Sequence, residues 1–240
     1  MSIERRMRRK LDIKCRAGEA PEEPNGKCVA WGCKRPTQRA SGKGLSEMYC
    51  KRHIEFKRRH GSAWRKSFSA SELKPIREAV RRWMSAHKAD KWVLRTVDLL
   101  DYRLRSVGPS KVTAMQWAGA GLDNRERAFE VLARVCDAGV SGSYLLEAVL
   151  TVRVAGEVLS APRDADFMNT QIAKLIHRKA SGTHNEYRRA NGGAWRRSKY
   201  PRAEGGFMRV LGEIVAARCV DVTDRETVRE IASTISAGNT

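Results

Sequence analysis

The sequence predicts a mainly α protein, a helical body preceded by a small zinc-knuckle module. From position 73 onward, apolar residues recur at helical spacing between caps and glycine stops. Ahead of them, the stretch 28–67 carries two close pairs of metal-ligand residues among basic and small polar side chains. The 47 Lys and Arg against 27 Asp and Glu, a net +20, are segregated along the chain. Residues 1–70 carry net +12 and residues 171–202 net +8, whereas 71–170 carry only +2 and 203–240 carry −2. Two cationic blocks flanking a near-neutral middle point to a polyanionic partner, and nucleic acid is the usual one.

Residues 1–26 form a basic arm, MSIERRMRRKLDIK, and a linker, AGEAPEEPNG, whose Pro, Gly and Glu break regular structure. Residues 27–68 form the module. Cys28-x4-Cys33 and Cys50-x2-His53 are two pairs, each from one tight turn, and a tetrahedral Zn²⁺ closes the loop between such pairs. His60 is an alternative fourth ligand and Cys15 a more distant one. After Cys50, KRHIEFKRRH reads as a short helix with His53 on its first turn, stopped by Gly61.

Residues 69–240 form the helical domain. Ser69 or Ser71 opens a helix with Pro75 near its start, and the periodicity runs through Leu73, Ile76, Val80, Trp83 and Met84, then Trp92, Val93, Val97, Leu100 and Leu104. That pattern fits one long helix or two broken near Ala89-Asp90. Lys111 to Ala118 reads as a short apolar turn or helix. Asp123 and Glu126 make a capping box for a helix with Phe129, Leu132, Ala133, Val135 and Cys136 inward. Tyr144 to Leu159 is the most apolar helix and the expected centre of the core, followed by Asp164 to Lys179. Residues 181–206, rich in Gly, Arg and aromatics, break the pattern and read as a basic loop. Phe207 to Cys219 is helical again, and Thr223 with Glu226 caps a last helix through Ile235.

Six cysteines, three of them in the module, and the lack of a signal-peptide pattern argue for a reducing cytoplasm rather than a disulfide framework. Cys136 and Cys219 read as buried free thiols. No apolar run reaches the length of a membrane span. His60-Gly-Ser-Ala-Trp64-Arg65-Lys66-Ser67 is echoed by Asn191-Gly-Gly-Ala-Trp195-Arg196-Arg197-Ser198, one copy in each cationic block. Trp beside paired cations can stack on a base while the charges hold phosphate.

The residues Cys28-x3-Gly32-Cys33-x-Arg35-Pro36 and Cys50-x2-His53-x6-His60-Gly61 resemble the zinc-binding segment at the front of many phage and bacterial HNH-type homing endonucleases. The same segment occurs in free-standing phage and mobile-element proteins. The resemblance implies that Cys28, Cys33, Cys50 and His53 bind zinc and that the basic run before His60-Gly61 contacts DNA. It covers the module alone, with a longer loop before Cys50.

No His-carboxylate pair of the HNH type follows. His177 sits late in a helix, and His184 with Asn185 has only Glu186 as a nearby carboxylate, so both histidines read as phosphate-contacting or helix-end residues. Asp98, Asp101 and Asp123 read as surface charges or caps. The two-helix stretch Arg127 to Val152 reads as core packing, because its second helix is too apolar for a recognition helix. The leading expectation is a non-enzymatic, zinc-dependent DNA-binding protein of a phage, plasmid or mobile element, regulatory or DNA-organising. A nuclease or DNA-processing factor and an RNA-binding protein are the alternatives. Expected contacts in the module are Arg35, Lys51, Arg52, Lys57, Arg58, Arg59, His60, Trp64, Arg65 and Lys66. In the second block they are Arg178, Lys179, Arg188, Arg189, Trp195, Arg196, Arg197 and Lys199. The partner is expected to be double-stranded DNA, and the helical domain is the candidate surface for a homodimer.

Overall fold

The computed structural model describes residues 7–8, 11, 15, 26–38, 48–112, 116–117, 120–161, 164–180, 183–188, 190–192, 194–199, 203 and 205–237, with the backbone alone for 183–188, 194–199 and 236–237. The chain divides into two compact units, Met1–Lys66 and Ser67–Thr240. Most of the N-terminal arm and its linker lies outside the described residues.

Among the described residues of the first unit, helix α1 (Lys51–His60) is ended by Gly61 at φ +82°. Its small apolar cluster is Cys28, Ala30, Tyr49, Cys50 and Ala63, with Cys33 and Ile54 packed against it. Three of those residues are thiols, so apolar burial among the described residues of the unit is slight.

The second unit is mainly helical. Helix α2 (Ala70–Ala86) opens on Ser69, whose hydroxyl accepts from Glu72 N–H while the Glu72 carboxylate accepts from Ser69 N–H. The long apolar pattern resolves into two helices. The break falls at residues 87–90, where Asp90 caps α3 (Lys91–Ser106) by accepting from Trp92 and Val93 N–H. The Asp123–Glu126 capping box opens α4 (Asn124–Asp137) as the sequence predicts.

Helix α5 (Gly142–Val158) is buried nearly all round and packs on α2, α3, α6, α7 and α8, which places it at the centre of the core. Its cap Ser141 makes no side-chain bond; Asp101 of α3 takes that role, accepting from Gly142 N–H at 2.6 Å. Gly142 lies so near α3 that a Cβ there would come 2.5 Å from the Val97 carbonyl.

Helix α6 (Ala165–His177) packs most closely with α7 (Gly206–Ala216), where a Cβ on Gly212 would overlap the Asn169 carbonyl. Helix α8 (Arg225–Ala237) closes the body against α5 and α2, with Ile231 fully buried. Its cap is Asp224, which accepts from Thr227 N–H at 2.7 Å, and not Thr223.

The basic stretch read as a loop contains an antiparallel hairpin, β1 (Thr183–Arg188) with β2 (Ala194–Lys199), in the register Thr183↔Lys199 to Arg188↔Ala194. Both strands are polar on each face, so no period-two alternation marks them. Gly192 at φ +80° makes the turn. Among the described residues, no helix is long and apolar enough to cross a membrane.

Candidate metal centre and basic surface

The first ligand pair sits on a knuckle made by backbone bonds. Cys28 N–H donates to Arg35 O at 3.0 Å, Cys33 N–H donates to Ala30 O at 2.9 Å, and Lys27 pairs with Pro36 in an isolated bridge. Gly32 at φ +72° turns the chain between the two cysteines. The second pair opens α1. Cys50 is its N-cap residue and His53 lies one turn in, with His53 N–H donating to Cys50 O at 2.9 Å. The i, i+3 spacing puts both side chains on one face.

These four side chains converge. One ligand atom from each of Cys28, Cys33, Cys50 and His53 lies within 4.8 Å of all the others, the one such group among the described residues. Cys28 Sγ is 3.2 Å and Cys50 Sγ 3.4 Å from His53 Nδ1, and Cys33 Sγ is 3.9 Å from Cys50 Sγ. Zn–S bonds of about 2.3 Å and a Zn–N bond of about 2.0 Å at tetrahedral angles imply edges of about 3.8 Å for S···S and about 3.5 Å for S···N. The cluster is compatible with a zinc-sized ion, taken by His53 through Nδ1.

Burial pushes the Cys28 thiol up, but backbone bonds from Cys50 and Ala30 and the neighbouring His53 and Cys33 outweigh it, leaving the thiol at about 6. At Cys33 a backbone bond from Arg35 lowers the thiol; its burial and the thiols of Cys28 and Cys50 prevail and push it up. The two thiols thus shift in opposite directions, and a bound dication would let both be thiolate together. His60 is not in the group; its ring lies against Phe56, with centroids 4.4 Å apart. Cys15 is exposed and also outside it.

The basic residues expected beside the ligands lie mostly at the surface. Arg35, Lys51, Arg52, Arg58, Arg59 and Lys66 are exposed, and Lys57, His60 and Arg65 are half-buried. Trp64 is exposed, whereas its neighbours Ser62 and Ala63 are buried. Helix α1 contains no buried residue, and its last turn is Lys57, Arg58, Arg59 and His60. Sequence reasoning missed Trp31 at the knuckle turn, which is 101% exposed; Val29, two residues before it, is exposed in lesser degree. The available signal was a Trp between two ligands, in a unit with little core to receive it.

In the second block Arg178 and Lys179 are exposed at the end of α6, and Lys179 Nζ lies 5.1 Å from the Tyr144 ring centroid. Arg188 ends β1, and Trp195, Arg196, Arg197 and Lys199 lie along β2, where Trp195 pairs with Tyr187 and Arg196 with Glu186. Arg189 lies outside the described residues. The two Gly-x-Ala-Trp copies share a left-handed first glycine, Gly61 and Gly192, but one ends a helix and the other turns a hairpin. His177 is buried beside Phe207, which fits its helix-end reading and not a phosphate contact. Asp123 and Asp101 cap helices, and Asp98 is exposed. Compared with protein-family models, curated proteins and solved structures, the chain matches none.

Proposed function

We propose that the chain is a non-enzymatic DNA-binding protein in which Zn²⁺ at Cys28, Cys33, Cys50 and His53 fixes a basic helix for contact with duplex DNA. The observation that carries the reading is the position of the cluster at the first turn of α1. A ten-residue helix without a buried side chain is marginal alone in water. Two of its first-turn neighbours are metal ligands, so the metal supplies the fixing that a core would otherwise give. What the helix then displays is cationic, with Lys51, Arg52, Arg58 and Arg59 at the surface and the exposed Trp64 just beyond. Such a surface suits phosphates, with aromatics available for stacking.

The likeness of the ligand segment to that of phage and mobile-element proteins supports a regulatory or DNA-organising role in such an element.

The test is anisotropy titration of labelled duplex DNA, and of RNA of matched sequence, over a salt series with and without a chelator. Tighter binding to the DNA, a steep salt slope and loss on chelation are expected. Binding that survives metal removal unchanged overturns the metal's role, and preference for RNA overturns the choice of partner.

A further inference from the structure

We infer that the helical unit carries a ligand site of its own, a pocket for a phosphate group formed by Lys74, Arg77 and Arg81 of α2 with Arg178 at the end of α6. A cavity of about 380 Å³ opens there, within the size range of small-ligand sites. Its lining includes the buried Leu73 and Leu175 beside these four cations and Glu78.

Lys74, Arg77, Glu78 and Arg81 stand at i, i+3, i+4 and i+7, one face of α2. Like charges at that spacing work against a helix, so their grouping asks for another reason. Glu147 of α5, with a side chain only 12% exposed, holds two of them in place. Its Oε1 accepts from Arg77 Nε at 3.0 Å and from Arg77 Nη2 at 2.7 Å, and its Oε2 accepts from Arg81 Nε at 3.1 Å. Each guanidinium keeps further N–H donors for a ligand. Lys74 and Arg178 have no carboxylate partner among the described residues. Against Glu78 and Glu147 the four cations leave two positive charges, the complement of a phosphate monoester dianion. Ala70, the first residue of α2, completes the rim, so the positive end of that helix lies at the same pocket.

The cationic rim and apolar lining suit a phosphate attached to a less polar body, up to roughly a mononucleotide in size. Two sources carry that chemistry, a free nucleotide and the backbone of a nucleic acid. Only the second rests on the DNA-binding reading.

The test is calorimetric titration of the full chain with adenosine monophosphate and, separately, with a short DNA duplex over a salt series. The variant is Lys74→Gln/Arg178→Gln, and Arg229→Gln, elsewhere on the body, is the control. Matching circular-dichroism melts establish folding; if the double variant melts early, Arg178→Gln alone replaces it. For a free nucleotide, affinity falls roughly tenfold or more in the variant and not in the control. For backbone phosphates, duplex affinity falls and the salt slope shrinks by roughly two. A variant indistinguishable from the unaltered chain with both probes overturns the site. Duplex binding that persists in that case leaves the DNA-binding reading standing. Nucleotide binding lost in the variant, with no duplex binding by the unaltered chain, leaves the site and removes the reading.

Discussion

The two units solve the problem of stability by different means. In Ser67–Thr240 a buried helix, α5, is wrapped by others, and side chains such as Leu145, Leu146, Leu150 and Ile231 are removed from water. Among the described residues of the first unit the buried side chains are few and two of them, Cys28 and Cys50, are thiols, with α1 burying none of its own. A region with little core must be held by something other than the hydrophobic effect. It is also free to spend its surface on charge, as α1 does. The comparison therefore predicts that the two units respond to opposite perturbations.

The largest effect is expected from the metal. Structural zinc contributes about 10–16 kcal/mol of apparent binding energy in small knots near neutral pH. Chelation, or Cys50→Ser, should abolish protection of the amides around α1 in hydrogen exchange while those of α5 stay protected. Elemental analysis should find one zinc per chain. Persistent protection of α1 in metal-free protein breaks the comparison.

The reverse perturbation is smaller. Leu146→Ala, at a fully buried position on α5, should cost the body about 2–5 kcal/mol in denaturant melts and leave zinc content unchanged. Equal loss of metal would mean that the units are not independent.

Charge and stacking should separate within the first unit. Arg58→Gln/Arg59→Gln should weaken duplex binding and make its salt slope shallower by roughly two. Trp31→Ala and Trp64→Ala should each cost about 1–3 kcal/mol of affinity with the slope unchanged. A slope that moves with the tryptophans removes the stacking role.

The last effect belongs to the body and appears only at alkaline pH. Burial pushes the Cys219 thiol up to about 12. A thiol raised on folding adds stability that is intact below its unfolded value, near 8.5, and is lost as pH rises toward the folded one. The body should therefore lose at most about 1.4 kcal/mol per pH unit across that alkaline window. Cys219→Val should flatten the loss, and unchanged alkaline melts in that variant sink the argument.

Ligand spacing was legible because Cys28-x4-Cys33 and Cys50-x2-His53 are local patterns, and a metal constrains local geometry. The choice of Nδ1 was not, since it depends on where α1 carries the His53 ring. The helices of the body were legible from periodicity. At the last of them, Thr223 with Glu226 mimics a capping box one residue before the true cap, Asp224. The hairpin escaped because neither face of its strands is apolar. The pocket escaped because Lys74 and Arg178 line one cavity only through the packing of both α2 and α6 on α5, which no spacing rule reports.

The closing contact of the body has a consequence for its manufacture. Helix α8 packs on α5 and α2 but leaves the ribosome after the other described helices of the body, so Ile231 reaches its socket late. Until then, the apolar side of α5 that it covers stays uncovered on the nascent chain. Synthesis thus includes an interval in which the centre of the finished core is its stickiest surface. Slowed translation ahead of Arg225 should lengthen that interval and increase the share of chain recovered in aggregates.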